Sequence, residues 1–173
     1  SIRRPRPDDF QVKEAAEKIK KSKNPIIISG GGVFYSNAME ELSNFATKHN
    51  IPVTQTVMGY STMKRDHSHY AGQIGGLGGK NTNDLAKETD LAIAVGTKLA
   101  DFTTGSWANF ENEKFKLVSI NVSRFDANKH LAQAVVGDAK VSLIELSKAL
   151  GDWKVGDEWN EKSQRELKIW NEH

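Results

Sequence analysis

Two glycine-containing segments carry the residues most able to bind a phosphorylated ligand. Gly30, Gly31 and Gly32 follow residues 26–29, an Ile-Ile-Ile-Ser run typical of a strand that is buried on both faces. Glycine at this point lets backbone N–H groups approach a phosphate, and a following helix N-terminus adds positive potential. The spacing is not G-x-G-x-x-G, and the next strand ends without an acidic ribose-binding residue. A tight strand-to-helix turn without a ligand is therefore the alternative interpretation.

The second segment, residues 96–106, follows the buried-strand pattern Leu-Ala-Ile-Ala-Val at residues 91–95. It is rich in hydroxyl side chains and carries one lysine and one aspartate, groups that could hold a polar or phosphorylated ligand. The alternative is a packed loop whose hydroxyl groups satisfy backbone donors and acceptors. The candidate residues for a nucleotide site or an interdomain contact are Gly30, Gly31, Gly32, Gly96, Thr97 and Asp101.

We expect neither a catalytic set of residues nor a metal-binding site within the 173 residues of this chain. The chain has no cysteine, which excludes a thiol nucleophile, a Cys-type zinc site and a disulfide. His67 and His69 lie beside Asp66, but two histidines in one loop without a second cluster do not indicate a metal. The chain also lacks a G-x-S-x-G elbow and a phosphate-binding P-loop motif.

The elements that would position the glycine segments alternate between helical and strand-like patterns. Strands are predicted at residues 26–29, 52–56, 70–74, 91–95, 117–122 and 134–136. Asp8, Ser36 and Asp138 are predicted helix N-caps. The alternation predicts an α/β fold in three α/β/α layers, with a doubly wound six-stranded parallel sheet that is Rossmann-like. Ligands of such sheets lie outside the carboxyl ends of the strands, where both glycine segments fall.

Composition limits the class of protein. The 173 residues are 38% hydrophobic, enough for a folded core. Net charge is +2, from 24 basic and 22 acidic residues, which argues against a nucleic-acid partner. No apolar run approaches the roughly 20 residues that span a bilayer, and no signal peptide is recognised. We expect a cytoplasmic protein without a membrane or nucleic-acid partner.

Three parts of the chain are expected to differ in role. Residues 1–7 alternate arginine and proline and are predicted to be a linker from a preceding domain. Residues 8–150 are the predicted α/β domain, and residues 151–173 a connecting helix or tail toward a following domain. Trp153, Trp159 and Trp170 in that tail should pack against this domain or against a neighbour.

Four stretches resemble the central domain of thiamine-diphosphate-dependent enzymes such as acetohydroxyacid synthase and pyruvate oxidase. They are PIIISGGG at residues 25–32, IPVTQT at 51–56, DLAIAVGT at 90–97 and LVSINV at 117–122. Residues 96–106, 119–122 and 125–130 are similar to the branch of that family that ring-opens a cyclic 1,2-dione in myo-inositol catabolism. The resemblance covers most of residues 8–150 and implies that the Rossmann-like fold is of the DHS-like NAD/FAD-binding type.

The resemblance implies that the complete enzyme is a homo-oligomeric hydrolase that uses thiamine diphosphate and Mg²⁺, both held by the flanking domains. No catalytic residue carries over to this segment. In the synthase branch the central domain binds FAD through loops matching Gly30 to Gly32 and Gly96 to Asp101. That branch has an R-F-D-D-R-like stretch where residues 98–102 read KLADF, so FAD is not expected. The alternatives are an acetolactate-synthase-like domain that binds FAD, a free-standing nucleotide-binding module, and a scaffold whose tail docks a partner.

Overall fold

The computed structural model describes residues 3–56, 61–74, 85–97, 114–123 and 132–171. The helices are α1 (Asp9–Lys20), α2 (Gly31–Tyr35), α3 (Met39–His49), α4 (Ala139–Leu150) and α5 (Asp157–Asn171), with a further helical segment at residues 85–88. The strands are β1 (Pro25–Ser29), β2 (Val53–Gln55), β3 (Tyr70–Gln73), β4 (Leu91–Val95), β5 (Lys116–Asn121) and β6 (Gln133–Val136).

The six strands form one sheet in the order β3-β2-β1-β4-β5-β6, and every neighbouring pair is parallel. Each residue of β1 and β4 is buried, as expected for apolar runs covered on both faces. The strand order reverses between β1 and β4, which makes their carboxyl ends the topological switch point. The predicted α/β fold with a six-stranded parallel sheet is confirmed.

Helices cover the sheet, and two of them begin at caps predicted from the sequence. The Asp8 side chain accepts from Gln11 N at the start of α1, and Asp138 accepts from Val141 N at the start of α4. Helix α4 packs against α1 and α3. The helical segment at residues 85–88, which precedes β4, contributes the fully buried Leu85 to the same core. None of the helices in the described ranges is long and apolar enough to cross a bilayer.

The prediction that Ser36 caps a helix is wrong. Helix α2 starts directly at Gly31, Ser36 stands at its end, and α3 begins at Met39 after Ala38. Asn37 between the two helices has a φ of 56°, and this left-handed turn redirects the chain so that the Ala38 side chain is buried. On α4, Leu143 is buried in the core, whereas the neighbouring Ile144 is 40% exposed.

The C-terminal helix packs on this domain. Trp159 is buried, and its Nε1 donates to the carbonyl of Pro25 at 2.7 Å. Gln164 Nε2 donates to the Tyr70 carbonyl at 2.8 Å. Pro25 and Tyr70 are the first residues of β1 and β3, so α5 lies along the amino edge of the sheet. The division into a linker at residues 1–7, a domain at residues 8–150 and a tail at residues 151–173 stays a prediction.

Candidate functional site

The glycine segments after β1 and β4 meet at the switch point. Gly30 directly follows the last residue of β1, and Gly96 directly follows the last residue of β4. These strands are hydrogen-bonded neighbours with Ser29 opposite Val95. Gly30, Gly31, Gly32, Gly96 and Thr97 are therefore gathered at one point of the carboxyl edge, whereas Asp101 lies outside the described residues.

The two segments touch backbone to backbone. A Cβ added at Gly30 would lie 2.5 Å from Thr97 Cα, and one added at Gly32 would lie 2.6 Å from Gly96 Cα. A Cβ at Gly96 would lie 2.6 Å from Val33 N, and Gly96 also has a φ of +60°, which side chains rarely adopt. The contact between the two loops therefore requires glycine at three positions. We call these three residues, Gly30, Gly32 and Gly96, the glycine lock.

The backbone donors of the glycine lock are already used. Gly30 N donates to Val95 O at 2.9 Å, Gly32 N to Gly96 O at 2.7 Å, and Gly96 N to Ile120 O at 2.9 Å. A phosphate site made of backbone N–H groups needs donors that are free to point at the ligand. Gly30, Gly32 and Gly96 therefore offer no free N–H group to a ligand, and the assignment of these loops to a nucleotide site or an interdomain contact stays a prediction.

Asn121 extends this arrangement to the end of β5. Its Nδ2 donates to the Thr97 carbonyl at 3.2 Å, and its Oδ1 accepts from Ser123 N at 3.0 Å. The side chain is buried and ties the loop after β4 to the loop after β5. Sequence reasoning missed this residue, although an asparagine at the end of a mostly buried strand is an available signal.

Segment 61–63 lies across the carboxyl ends of β1 and β2. Ser29 Oγ donates to Thr62 Oγ1 at 2.8 Å, and Gln55 Nε2 donates to the Met63 carbonyl at 2.9 Å. Ser29, Gln55, Thr62 and Met63 are all buried. This part of the carboxyl edge is therefore filled by polar groups of the protein that satisfy one another.

His67 and His69 order a loop. His69 Nε2 lies 2.8 Å from Asn50 Oδ1, an acceptor, so this nitrogen carries the proton, and His69 Nδ1 is paired with Ser68 Oγ at 2.9 Å. His67 Nδ1 accepts from His69 N at 3.0 Å. Burial, with the neighbouring His67, lowers the pKa of His69. Within the described ranges, no three His, Cys, Asp or Glu side chains are grouped as metal ligands would be.

His49 joins α3 to the tail and to α4. Its Nδ1 lies 2.7 Å from the Trp153 carbonyl and its Nε2 lies 2.8 Å from Ser147 Oγ. The carbonyl can only accept, so Nδ1 carries the proton and the Ser147 hydroxyl donates to Nε2. The side chain is fully buried, and this burial lowers its pKa, against the raising effect of the Trp153 hydrogen bond.

Stability should fall as the pH drops below about 6.5, the pKa of histidine in an unfolded chain. The folded pKa of both His49 and His69 is lowered, so the unfolded state takes up protons first and the stability decreases until the folded pKa is passed. Urea unfolding between about pH 7.5 and pH 5.5 measures this slope. His49→Gln should make the slope shallower than in the parent chain. An unchanged slope in the variant would contradict the assignment.

The glycine lock, segment 61–63 and Asn121 link the carboxyl ends of β1, β2, β4 and β5 to one another, and known proteins are similar to the domain that contains them. Residues 12–146 match the family model described as thiamine pyrophosphate enzyme, central domain. The chain is 40% identical over 171 residues to 3D-(3,5/4)-trihydroxycyclohexane-1,2-dione hydrolase of Clostridium perfringens, covering 99% of this chain and 27% of that protein. It is 43% identical over 145 residues to 3D-(3,5/4)-trihydroxycyclohexane-1,2-dione hydrolase 1 of Bacillus cereus, covering 84% of this chain and 22% of that protein.

A solved structure shares the fold. Benzoylformate decarboxylase from Polynucleobacter necessarius superposes with a TM-score of 0.73 and 25% sequence identity, over 91% of this chain and 30% of that one. The chain therefore spans about a quarter of the length of the curated relatives it matches.

Proposed function

Since this chain belongs to the central-domain family of thiamine pyrophosphate enzymes, we propose that it is the non-catalytic central domain of a hydrolase. That hydrolase would ring-open 3D-trihydroxycyclohexane-1,2-dione in myo-inositol catabolism. The observation that carries the proposal is the 40% identity that extends over 171 residues, almost the whole chain, to a protein named for that reaction. The complete enzyme is a cytoplasmic homo-oligomer in this proposal.

The chemistry would be supplied from outside this chain. Thiamine diphosphate, when bound, supplies a nucleophilic carbon for cleavage of a carbon–carbon bond, and Mg²⁺ would anchor its diphosphate. The described residues do not fit this group: the donors of the glycine lock are occupied by carbonyl oxygens, and the described part of the chain has no cluster of metal ligands. We therefore assign the cofactor and the metal to the flanking domains, and we do not expect FAD.

The described residues support a spacer role through their two ends. Residues 3–7 lie at the carboxyl edge, where Asp138 N donates to the Pro5 carbonyl at 2.9 Å and Arg4 pairs with the Asp138 carboxylate at 3.0 Å. Helix α5 lies along the amino edge. A rigid parallel sheet thus separates the two segments that would lead to flanking domains.

The test is an assay of the full-length polypeptide with the cyclic dione. We expect ring opening, followed by NMR of the product, that requires both thiamine diphosphate and Mg²⁺, and no reaction with this 173-residue chain alone. Formation of acetolactate from pyruvate with bound FAD would instead identify a synthase. Micromolar binding of a flavin or NAD by this chain alone would identify a nucleotide-binding module.

A further inference from the structure

We propose that the exposed apolar side chains at the carboxyl edge form the docking surface for the domain that precedes residue 1 in the same polypeptide. This docking surface consists of Phe34, Tyr35 and Val122. The inference rests on the proposed function, because it requires a longer polypeptide.

Exposed apolar groups are concentrated at this edge. Of the six large apolar side chains that are well exposed among the described residues, Phe34, Tyr35 and Val122 follow the carboxyl ends of β1 and β5. Phe10, in the first turn of α1, is exposed near the end of β6, where its neighbour Gln11 accepts from Val136 N. The remaining two, Ile144 and Ile169, lie apart from one another on α4 and α5. Two exposed aromatic rings in mutual contact, with Val122 exposed at the same edge of the sheet, mark a contact surface.

The aromatic pair is held in its exposed position. Phe34 is 58% exposed and Tyr35 is 77% exposed, and their rings meet edge to face at 6.0 Å between centroids. Helix α2 cannot rotate to bury them, because Val33 on its other side is fully buried and Gly32 is in backbone contact with Gly96. Two such rings offer on the order of 200 Å² of apolar surface to a partner.

The N-terminal residues 4–7 lie beside this docking surface. Arg4 Nη1 donates to the carbonyl of Ser36, the residue after Tyr35, at 2.8 Å. The same guanidinium contacts Asp138 at 3.0 Å, and Pro7 is buried, so residues 4–7 are anchored along the edge. Polypeptide that enters through residue 3 must therefore emerge within about one arginine length of the aromatic pair.

These contacts favour the preceding domain over a domain that follows the tail. The tail is bound at the opposite, amino edge, so a domain that follows it starts from the far side of the sheet. Most of the length of the curated relatives lies outside the part that this chain matches, which leaves ample polypeptide to cover the surface. A covalently joined domain also docks at high effective concentration, so a modest apolar patch is sufficient.

Hydroxyl-radical footprinting of the full-length polypeptide tests the proposal, with mass spectrometry reading the labelling rate of each side chain. The comparison is the same protein truncated to begin at residue 1, and Ile144 serves as the internal reference. We expect Phe34 and Tyr35 to react about fivefold more slowly in the full-length protein, as burial at an interface core implies. The rate at Ile144 should be the same in both proteins.

Three results would overturn the proposal. Equal labelling of Tyr35 in both proteins would mean that the surface is free. Protection that persists after truncation would assign it to a following domain, and protection that grows with protein concentration would assign it to a second copy. If the truncated protein does not fold, Tyr35→Ser and Ile169→Ser in the full-length protein replace it: Tyr35→Ser should lower Tm more, and equal shifts would refute docking. A natural polypeptide of only 173 residues would instead refute the proposed function.

Discussion

Gly96→Ala should destabilise the domain by about 3–5 kcal/mol, the sum of backbone strain and overpacking. The φ of +60° at Gly96 is unfavourable for any residue with a Cβ. The added atom would also lie 2.6 Å from Val33 N and 2.7 Å from the carbonyl carbon of Gly32, and both neighbours are backbone atoms that cannot turn aside. Since a domain is stable by only about 5–15 kcal/mol, the variant should be close to unfolding at 37 °C.

Two other glycines separate the strain from the contact. Gly151 has a φ of +62° and open space around its Cα, so Gly151→Ala should cost only the strain, about 1–3 kcal/mol. Gly156 has neither feature, and Gly156→Ala should change stability by less than about 1 kcal/mol. Urea unfolding of the three variants gives the comparison. A loss at Gly96 no larger than that at Gly151 would show that the glycine lock contributes no packing constraint.

Trp159→Ala should cost about 3–5 kcal/mol, as removal of a large buried side chain does. The indole is 6% exposed and forms part of the hydrophobic core. Its loss would also leave the Pro25 carbonyl without the indole N–H donor at the start of β1. The tail would then detach from the amino edge, so that α5 should become sensitive to protease while the sheet remains folded.

Conservative and exposed variants make that prediction specific. Trp159→Phe keeps most of the apolar volume and removes the hydrogen bond, so it should cost about 1–2 kcal/mol. Ile169→Ala, at a side chain 57% exposed on the same helix, should cost less than about 0.5 kcal/mol. If Trp159→Ala were as mild as Ile169→Ala, the tail would not be held by this domain, and it would be available to a partner.

The sheet was predictable because its strands are simple in sequence. Residues 26–28 and 91–95 are apolar without alternation, as expected of a strand that is covered on both faces. The helix caps at Asp8 and Asp138 were equally predictable, because a short acceptor side chain satisfies the free N–H groups in the first turn of a helix. The same reasoning gave a wrong prediction at Ser36. Its hydroxyl suits a cap, but the chain makes a left-handed turn at Asn37, and α3 begins only at Met39.

The meaning of the glycines was not predictable. A phosphate cradle and a backbone contact both need the missing Cβ, and both place glycine at a strand end. Only the structure shows that Gly30 and Gly32 face Gly96 and Thr97, residues more than 60 positions away in sequence. The docking of Trp159 on Pro25 is likewise a long-range contact, which composition left open between this domain and a neighbour.

Calorimetric titration with thiamine diphosphate and Mg²⁺ tests most directly whether the chemistry lies outside this chain. The account predicts saturable, Mg²⁺-dependent binding to the full-length polypeptide and no measurable heat of binding with the 173-residue chain. Stoichiometric binding to this chain alone would contradict it, because the cofactor site would then be built from these residues.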